Sequence, residues 1–216
     1  MEIKNLIFDF DGTIADTSSL IIATLRSTIE DMGLPNKEEG DLKSMIGIRL
    51  EDMPSYLWPG KEVEKNLFVN TYRKLFVENK KKYPVNCFNG VKGMLRLLHD
   101  QGYNMAIATS RSVESLRNFL QDLGLEDCFQ MLVGGENVKS GKPSPEAVNL
   151  ILEKMNWKAG ETMVVGDMAV DILMGKGAGC MTCGVTYGNG TIEDFEKAGS
   201  DLVIDEMSGL GMIMID

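Results

Sequence analysis

Acidic residues follow two apolar runs that lie far apart in the chain. Asp9 and Asp11 end the first run, in the segment Asp-Phe-Asp-Gly-Thr, and Asp167 and Asp171 end the second, in Gly-Asp-x-x-x-Asp. If the two segments meet in the fold, their carboxylates repel one another, so the cluster indicates a bound cation. Oxygen ligands without nearby His or Cys favour Mg²⁺.

Three further polar residues could act on an anionic substrate. Thr109 and Ser110 follow another apolar run, and Lys142 stands in Gly-Lys-Pro-Ser-Pro. Taken singly, each has a structural explanation, such as capping a helix, satisfying loop amides or being exposed to solvent. Together with the carboxylates they suggest phosphate chemistry. An Asp carboxylate with a pKa of ~3.9 needs no base to act as a nucleophile. Mg²⁺ and Lys142 would offset the repulsion from a phosphate dianion.

Two residue types that often take part in catalysis are expected to be structural in this chain. His99, the single histidine, falls in a helical pattern away from the acidic segments, which removes the usual general base. Cys180 and Cys183 have CxxC spacing but lie in a strand-like run. Residues three apart in a strand point to opposite faces, so we expect ordinary buried thiols rather than a zinc or redox site.

The apolar patterns predict the elements that would position these residues. Residues 1–16 contain one buried strand, and residues 17–83 look entirely helical. After residue 84, helices and strands alternate, with helices at 91–98, 113–123, 145–155 and 169–176 and strands at 104–109, 131–133, 162–165, 181–186 and 202–204. This alternation predicts an α/β fold with a doubly wound, Rossmann-like parallel sheet, in which ligands bind at the carboxyl ends of the strands.

The domain organisation follows from the same pattern. Because residues 1–16 supply the first strand of the sheet, the helical block of residues 17–83 is expected to be an inserted α-helical cap. Residues 1–16 and 84–216 would then form the α/β core.

The motifs resemble those of a known family. In order and strand context, Asp9-Phe-Asp11-Gly-Thr, Thr109, Lys142 and Gly-Asp167-x-x-x-Asp171 are similar to the four motifs of haloacid dehalogenase superfamily phosphohydrolases. The resemblance covers essentially the whole chain. It is greatest to the subfamily containing phosphoglycolate phosphatase, the pyrophosphatase resembling it, and β-phosphoglucomutase.

The resemblance implies a role for each matching residue. Asp9 would be the nucleophile that forms an aspartyl-phosphate and would also bind Mg²⁺. Asp11 would protonate the leaving oxygen, then activate water, and would offer its backbone carbonyl to the metal. Asp167 would be a metal ligand, and Asp171 would support the metal directly or through water. Thr109 would hydrogen-bond the transferred phosphoryl group, and Lys142 would counter its charge.

Departures from the family pattern leave the substrate open. The cap histidine of β-phosphoglucomutases is replaced by Ile21, which disfavours a mutase. Arg49 resembles an arginine that grips a second phosphate in those enzymes, although it could equally be a solvated residue at a helix start. Ser110 stands where many phosphoglycolate phosphatases have Asn, and its hydroxyl could still donate to phosphate.

The expected activity is therefore Mg²⁺-dependent hydrolysis of a small soluble phosphomonoester, as in phosphoglycolate phosphatase. A pyrophosphatase or a β-phosphoglucomutase-like phosphotransferase is the alternative. A phosphoreceiver module that does not turn over belongs to a different class, and the helical insertion disfavours it because a lid has no role there.

Composition limits the partners of the chain. It has 216 residues, of which 44% are hydrophobic, with 22 Lys and Arg against 32 Asp and Glu, for a net charge of −10. This acidity argues against nucleic acid and anionic lipid as ligands. No apolar run approaches the roughly 18 residues that span a bilayer, so we expect a cytoplasmic enzyme for a small phosphorylated metabolite. The sequence does not distinguish a monomer from a homodimer.

Overall fold

The computed structural model describes residues 2–214, and its centre is a six-stranded parallel sheet. The strand order is β3-β2-β1-β4-β5-β6. The strands are β1 (Asn5–Phe8), β2 (Asn104–Ala108), β3 (Met131–Val133), β4 (Thr162–Gly166), β5 (Met181–Val185) and β6 (Leu202–Ile204). The predicted α/β fold with a Rossmann-like parallel sheet is confirmed. Because β1 lies between β2 and β4, residues that follow these three strands share one edge.

Both faces of the sheet are buried, which explains why its strands are continuous apolar runs. On β1, Leu6 and Phe8 belong to one apolar cluster and Ile7 belongs to another. Successive strand residues point to opposite faces, so each cluster lies between the sheet and one layer of helices.

Four helices connect β1 to the remainder of the fold. They are α1 (Ser18–Asp31), α2 (Glu39–Lys43), α3 (Met53–Leu57) and α4 (Lys65–Lys80), and we refer to them together as the helical insertion. They pack around an apolar cluster of their own, in which Trp58 meets Phe68 edge to face with ring centroids 6.2 Å apart. The helix α3 has Pro54 in its first turn, where the missing N–H of proline costs no helical hydrogen bond.

The chain enters and leaves the helical insertion at neighbouring positions. The backbone N–H of Asp16 donates to the carbonyl of Asn86 over 2.9 Å, and Ala15 forms an antiparallel bridge with Cys87. The two ends of the insertion are therefore held side by side next to the carboxyl end of β1.

Six more helices cover the sheet. They are α5 (Val91–Asp100), α6 (Val113–Leu123), α7 (Glu146–Met155), α8 (Ala169–Gly177), α9 (Ile192–Ala198) and α10 (Ser208–Met214). The sequence patterns did not predict α9 and α10, which have only two turns each. A capping box in which Thr191 and Asp194 exchange hydrogen bonds marks the start of α9. Among the helices of residues 2–214, none is long and apolar enough to cross a membrane.

Candidate active site

Strand register brings the acidic segments together. Phe8 is paired with Val165 of β4 and with Ile107 of β2, so the residues that follow these strands meet at the central edge of the sheet. The backbone N–H of Asp9 donates to the carbonyl of Val165 over 2.9 Å, which fixes the start of this loop. Asp9, Thr109 and Asp167 are consequently neighbours although they are far apart in sequence.

Three buried carboxylates form the centre of the site. One oxygen from each of Asp9, Asp167 and Asp171 lies within 4.8 Å of the others. Burial, together with the negative charge of Asp171, raises the pKa of Asp167 to about 7. Burial and the neighbouring carboxylates also raise the pKa of Asp9 well above its usual value, although Lys142 opposes this. A cation in this cluster would favour the ionised form of each carboxylate.

Lys142 is the positive partner of these carboxylates. Its ammonium contacts the Asp9 carboxylate, lies 2.7 Å from Asp171 Oδ1, and belongs to a side chain that is only 4% exposed. Burial alone would lower the pKa of Lys142, but the charges of Asp171 and Asp9 outweigh it and raise the pKa above its usual value. Lys142 is therefore held as a cation against the acidic cluster.

The cluster has the properties of a metal site. Three carboxylates face one ammonium, which leaves two formal negative charges uncompensated within this group. Asp171 Oδ2 accepts from the N–H of Met168 over 3.0 Å, whereas the buried Oδ1 faces the Lys142 ammonium at 2.7 Å. A hard divalent cation with oxygen ligands fits the excess negative charge of this oxygen-rich cluster.

Asp167 is oriented by Thr13 of the first motif and by Asn189, which the sequence motifs did not identify. Its Oδ2 accepts from the backbone N–H of Asn189 over 2.9 Å and from the Asn189 amide over 2.8 Å. Its Oδ1 accepts from the Thr13 hydroxyl over 3.3 Å. The only sequence signal for Asn189 is its place in a Gly-Asn-Gly segment shortly after a strand, where a polar loop residue can reach the same edge.

Gly12 allows the loop after β1 to pass close to Asp167. Its φ of +97° is unfavourable for other residues, and a Cβ on Gly12 would lie 2.1 Å from Asp167 Oδ2. Both the backbone conformation and the available space therefore require glycine at this position.

The Asp11 carboxylate lies outside the acidic cluster and has different partners. Its Oδ1 accepts from the Thr17 hydroxyl over 2.7 Å, and its Oδ2 accepts from Arg111 Nε over 3.1 Å. A second guanidinium nitrogen of Arg111 also donates to Oδ1. Sequence reasoning missed Arg111, although a basic residue directly after Thr109 and Ser110 was a possible signal.

Thr109, Ser110 and Arg49 lie around the same edge, and two of them join the helical insertion to the rest of the fold. Ser110 Oγ donates to the carbonyl of Gly47 over 2.6 Å. Arg49 donates to the Lys139 carbonyl over 3.0 Å and pairs with Asp52. The Thr109 hydroxyl accepts from the N–H of Arg111 over 3.2 Å. Both Ser110 and Arg49 are therefore engaged with protein groups in this arrangement.

A cavity of about 1060 Å³ lies between the helical insertion and the sheet edge. Its lining includes Asp11, Arg49, Tyr72, Ser110 and Arg111. A ligand in this cavity would touch both parts of the fold and Asp11, whereas Asp9, Lys142 and the other clustered carboxylates are not part of the lining. The cavity is therefore the candidate site for the part of a substrate that extends from the acidic cluster toward the insertion.

The remaining polar candidates lie away from this cavity. His99 is on the exposed surface of α5, with Nδ1 3.5 Å from Asp100 Oδ1. Cys180 and Cys183 are buried, unpaired thiols, and burial raises their pKa values to about 11 and about 12, respectively. Thiols with such pKa values stay protonated near neutral pH and are poor nucleophiles.

Comparison with known proteins identifies the family. Residues 6–185 match the family model described as haloacid dehalogenase-like hydrolase. The "Probable phosphatase IndB" of Dickeya dadantii is 32% identical, over 94% of this chain and 90% of that protein. The pyrophosphatase PpaX of Halalkalibacterium halodurans is 35% identical, over 87% of this chain and 85% of the relative.

More distant matches also cover nearly the whole chain. The phosphoglycolate phosphatase of Vibrio parahaemolyticus is 28% identical, over 97% of this chain and 95% of that protein. The crystal structure of a predicted phosphatase from Clostridium acetobutylicum superposes with a TM-score of 0.89 at 20% identity, and the match covers 100% of this chain and 99% of the other. The family match over most of the sequence and the phosphatase names of these relatives agree with the acidic cluster described above. The chain therefore belongs to the haloacid dehalogenase-like hydrolase family and is a hydrolase that acts on phosphate esters.

Proposed function

We propose that the chain is a Mg²⁺-dependent phosphatase that transfers the phosphoryl group of a small phosphomonoester to Asp9 and then to water. One observation carries this proposal. The Asp9 carboxylate contacts the ammonium of Lys142, and one of its oxygens lies within 4.8 Å of an oxygen of Asp167 and of Asp171, so a nucleophile, a fixed positive charge and a candidate cation site are adjacent.

In the first step, an oxygen of Asp9 attacks phosphorus and the bond from phosphorus to the leaving oxygen breaks. The leaving oxygen takes a proton from the protonated form of Asp11, which becomes the carboxylate that accepts from Arg111. In the second step, Asp11 takes a proton from water as that water attacks phosphorus, and the bond to Asp9 breaks to release inorganic phosphate. Asp9 and Asp11 thus return to their initial protonation states.

The surrounding residues would bind and orient the phosphoryl group. Lys142 would offset the negative charge of phosphate as Asp9 approaches it, and the Thr109 hydroxyl would donate to a phosphoryl oxygen. The carboxylates of Asp9, Asp167 and Asp171 would hold Mg²⁺, with the Asp11 carbonyl as a further ligand. When bound, Mg²⁺ would supply positive charge that stabilises the developing negative charge on phosphate.

We also propose that residues 17–83 act as a cap domain over a core formed by residues 1–16 and 84–216. The contacts of Ser110 with Gly47 and of Arg49 with Lys139 support this, because they join the helical insertion to the rim of the cavity. If the cap opens, these hydrogen bonds break, and both side chains become free to contact an anionic substrate. Closure would then exclude water from the first step.

The substrate is expected to be a phosphomonoester such as phosphoglycolate. Pyrophosphate is a second candidate, because Arg49 lines the cavity and could bind a second anionic group. The 35% identity to a pyrophosphatase also favours it.

The test is a panel of phosphoglycolate, pyrophosphate, sugar phosphates, nucleotides and p-nitrophenyl phosphate with Mg²⁺. Asp9→Asn should abolish turnover and labelling of the protein by phosphate, and EDTA should abolish turnover of the wild type. Asp16→Asn is the matched control, because Asp16 is an exposed carboxylate in the same loop. Substantial Mg²⁺-dependent hydrolysis by a clean Asp9→Asn preparation would contradict the proposal, since the uncatalysed reaction is extremely slow.

A further inference from the structure

The Arg111 guanidinium makes a buried, two-point contact with Asp11. Nε and a terminal nitrogen donate to the two carboxylate oxygens, while the third nitrogen donates to Ser115 Oγ over 3.0 Å. The Arg111 and Asp11 side chains are only 10% and 9% exposed. A planar guanidinium fixed at all three nitrogens leaves a carboxylate little freedom to rotate.

Three aromatic rings surround the same guanidinium. The Arg111 Cζ lies 5.9 Å from the ring centroid of Phe10, 5.2 Å from that of Phe76 and 4.8 Å from that of Phe119. Phe10 follows β1 and Phe119 belongs to α6, whereas Phe76 belongs to α4 of the helical insertion. Phe76 and Phe119 also meet edge to face, with centroids 6.1 Å apart. One side of the enclosure is therefore supplied by the insertion.

The enclosure strengthens the contact between Arg111 and Asp11. Aromatic faces attract a cation, and the low exposure of the Arg111 and Asp11 side chains limits competition from water, even though both residues line the cavity. If the helical insertion moves away from the sheet edge, Phe76 leaves with it, while Phe10 and Phe119 remain. The guanidinium then becomes exposed on that side, and its hold on Asp11 weakens.

We propose that Arg111 is a positioning residue that fixes the Asp11 carboxylate and, through Phe76, makes its orientation depend on the seating of the helical insertion. The inference rests on the proposed function, in which Asp11 moves protons in both steps. It extends that function, because the insertion would then affect the orientation of Asp11 through Phe76 and Arg111, in addition to enclosing the substrate.

The first experiment measures kcat, KM and the steady-state level of aspartyl-phosphate with p-nitrophenyl phosphate and Mg²⁺. Arg111→Gln should lower kcat by roughly 10²-fold, because a misplaced group loses its reactive geometry. KM should stay within about threefold of the wild type. Aspartyl-phosphate should accumulate, since its hydrolysis requires Asp11 to activate water. The kcat and the aspartyl-phosphate level of Arg111→Lys should lie between those of the wild type and those of Arg111→Gln, because lysine keeps the charge but loses the two-point contact.

Arg117→Gln is the matched control, because Arg117 is 55% exposed on α6 and pairs only with the surface residue Glu126 over 3.3 Å. It should leave all three quantities unchanged. A rise in KM with unchanged kcat in Arg111→Gln would overturn the proposal and make Arg111 a substrate-binding group. A fall in kcat without accumulation of the intermediate would also overturn it.

The second experiment tests the connection through Phe76. Phe76→Leu keeps an apolar side chain but removes the ring, so it should lower kcat by roughly tenfold and raise the level of aspartyl-phosphate. In the Arg111→Gln background the same substitution should have little further effect, because both changes act on one contact. Leu67→Ala is the control, at a position that is 54% exposed on the same helix and does not line the cavity. Independent, multiplicative effects of the two substitutions would overturn the connection.

A crystal structure of Arg111→Lys tests directly whether Arg111 fixes the Asp11 side chain. It requires neither an active enzyme nor a folded Arg111→Gln variant. The Asp11 carboxylate should leave its place beside Thr17 or occupy more than one rotamer. An Asp11 side chain in one unchanged rotamer would overturn the proposal. Wild-type protein without phosphatase activity would instead contradict the proposed function, and the crystal structure would still decide the role of Arg111.

Discussion

The Lys142 ammonium lies 2.7 Å from Asp171 Oδ1 and also contacts Asp9, so one buried cation connects two of the three clustered carboxylates. Removing one member of a buried ion pair leaves an uncompensated charge. We therefore expect Lys142→Met to lower the free energy of unfolding of the metal-free protein by about 3 kcal/mol or more. Turnover should also fall by at least ~10²-fold, because the charge that offsets phosphate is lost.

Urea unfolding in EDTA and steady-state kinetics in Mg²⁺ measure the two effects. Lys139→Met is the control, since Lys139 is an exposed lysine close in sequence. Equal unfolding free energies for Lys142→Met and Lys139→Met would show that the buried pair does not stabilise the fold.

The pKa of Asp167 makes the stability of the metal-free protein depend on pH. This pKa is about 7 in the folded protein, against 3.8 for an unperturbed Asp such as that of the unfolded chain, so the folded state binds more protons between these pH values. The free energy of unfolding should therefore decrease as pH rises from about 4 to about 7, by up to roughly 4 kcal/mol from this group. Asp9 shifts in the same direction and should add to the slope.

The Asn side chain of Asp167→Asn cannot ionise, so the free energy of unfolding of this variant should depend less steeply on pH. Without metal, the variant should be more stable than the wild type at about pH 8. Mg²⁺ should raise the melting temperature of the wild type but not that of the variant. Urea unfolding in EDTA across the pH range, with Asp16→Asn as the control, measures the slope. A wild-type stability that rises with pH relative to Asp167→Asn would refute this assignment.

Substitutions at Gly12 and Gly33 distinguish the effect of backbone strain from the effect of a steric collision. Both have positive φ, at +97° and +59°, but a Cβ on Gly33 meets nothing within 4 Å, whereas one on Gly12 would collide with Asp167. Gly33→Ala should cost about 1 kcal/mol of stability with full turnover, because only the backbone is strained. Gly12→Ala should lose both stability and turnover, since Asp167 must move. Comparable turnover in the two variants would show that the Asp167 position is not important for catalysis.

The fold could largely be read from the sequence because its strongest signals are local. The predicted helix at 113–123 and the strands at 131–133 and 202–204 coincide with α6, β3 and β6. The apolar periodicity of these segments and the glycine after α6 define them without tertiary information. The short helices α9 and α10 were missed, because two turns contain too few residues to establish a helical period.

The candidate site was less accessible to sequence reasoning. Carboxylates that end strands are recognisable from the motifs, whereas Arg111 and Asn189 reach the site through loop paths that no periodicity specifies. The hydrogen bond from Ser110 to Gly47 was not foreseeable either, since it depends on how the helical insertion packs against the sheet edge. Contacts between separately folded layers depend on three-dimensional packing.

The backbone hydrogen bond from Asp16 to Asn86 has an evolutionary consequence. Since the chain leaves the end of β1 and returns to the same point, the helical insertion constrains the position of the sheet residues no more than a short turn would. A longer, shorter or differently folded segment could be exchanged there without shifting Asp9 or its carboxylate neighbours. The choice of substrate can therefore diversify among descendants while the bond-breaking machinery is inherited unchanged.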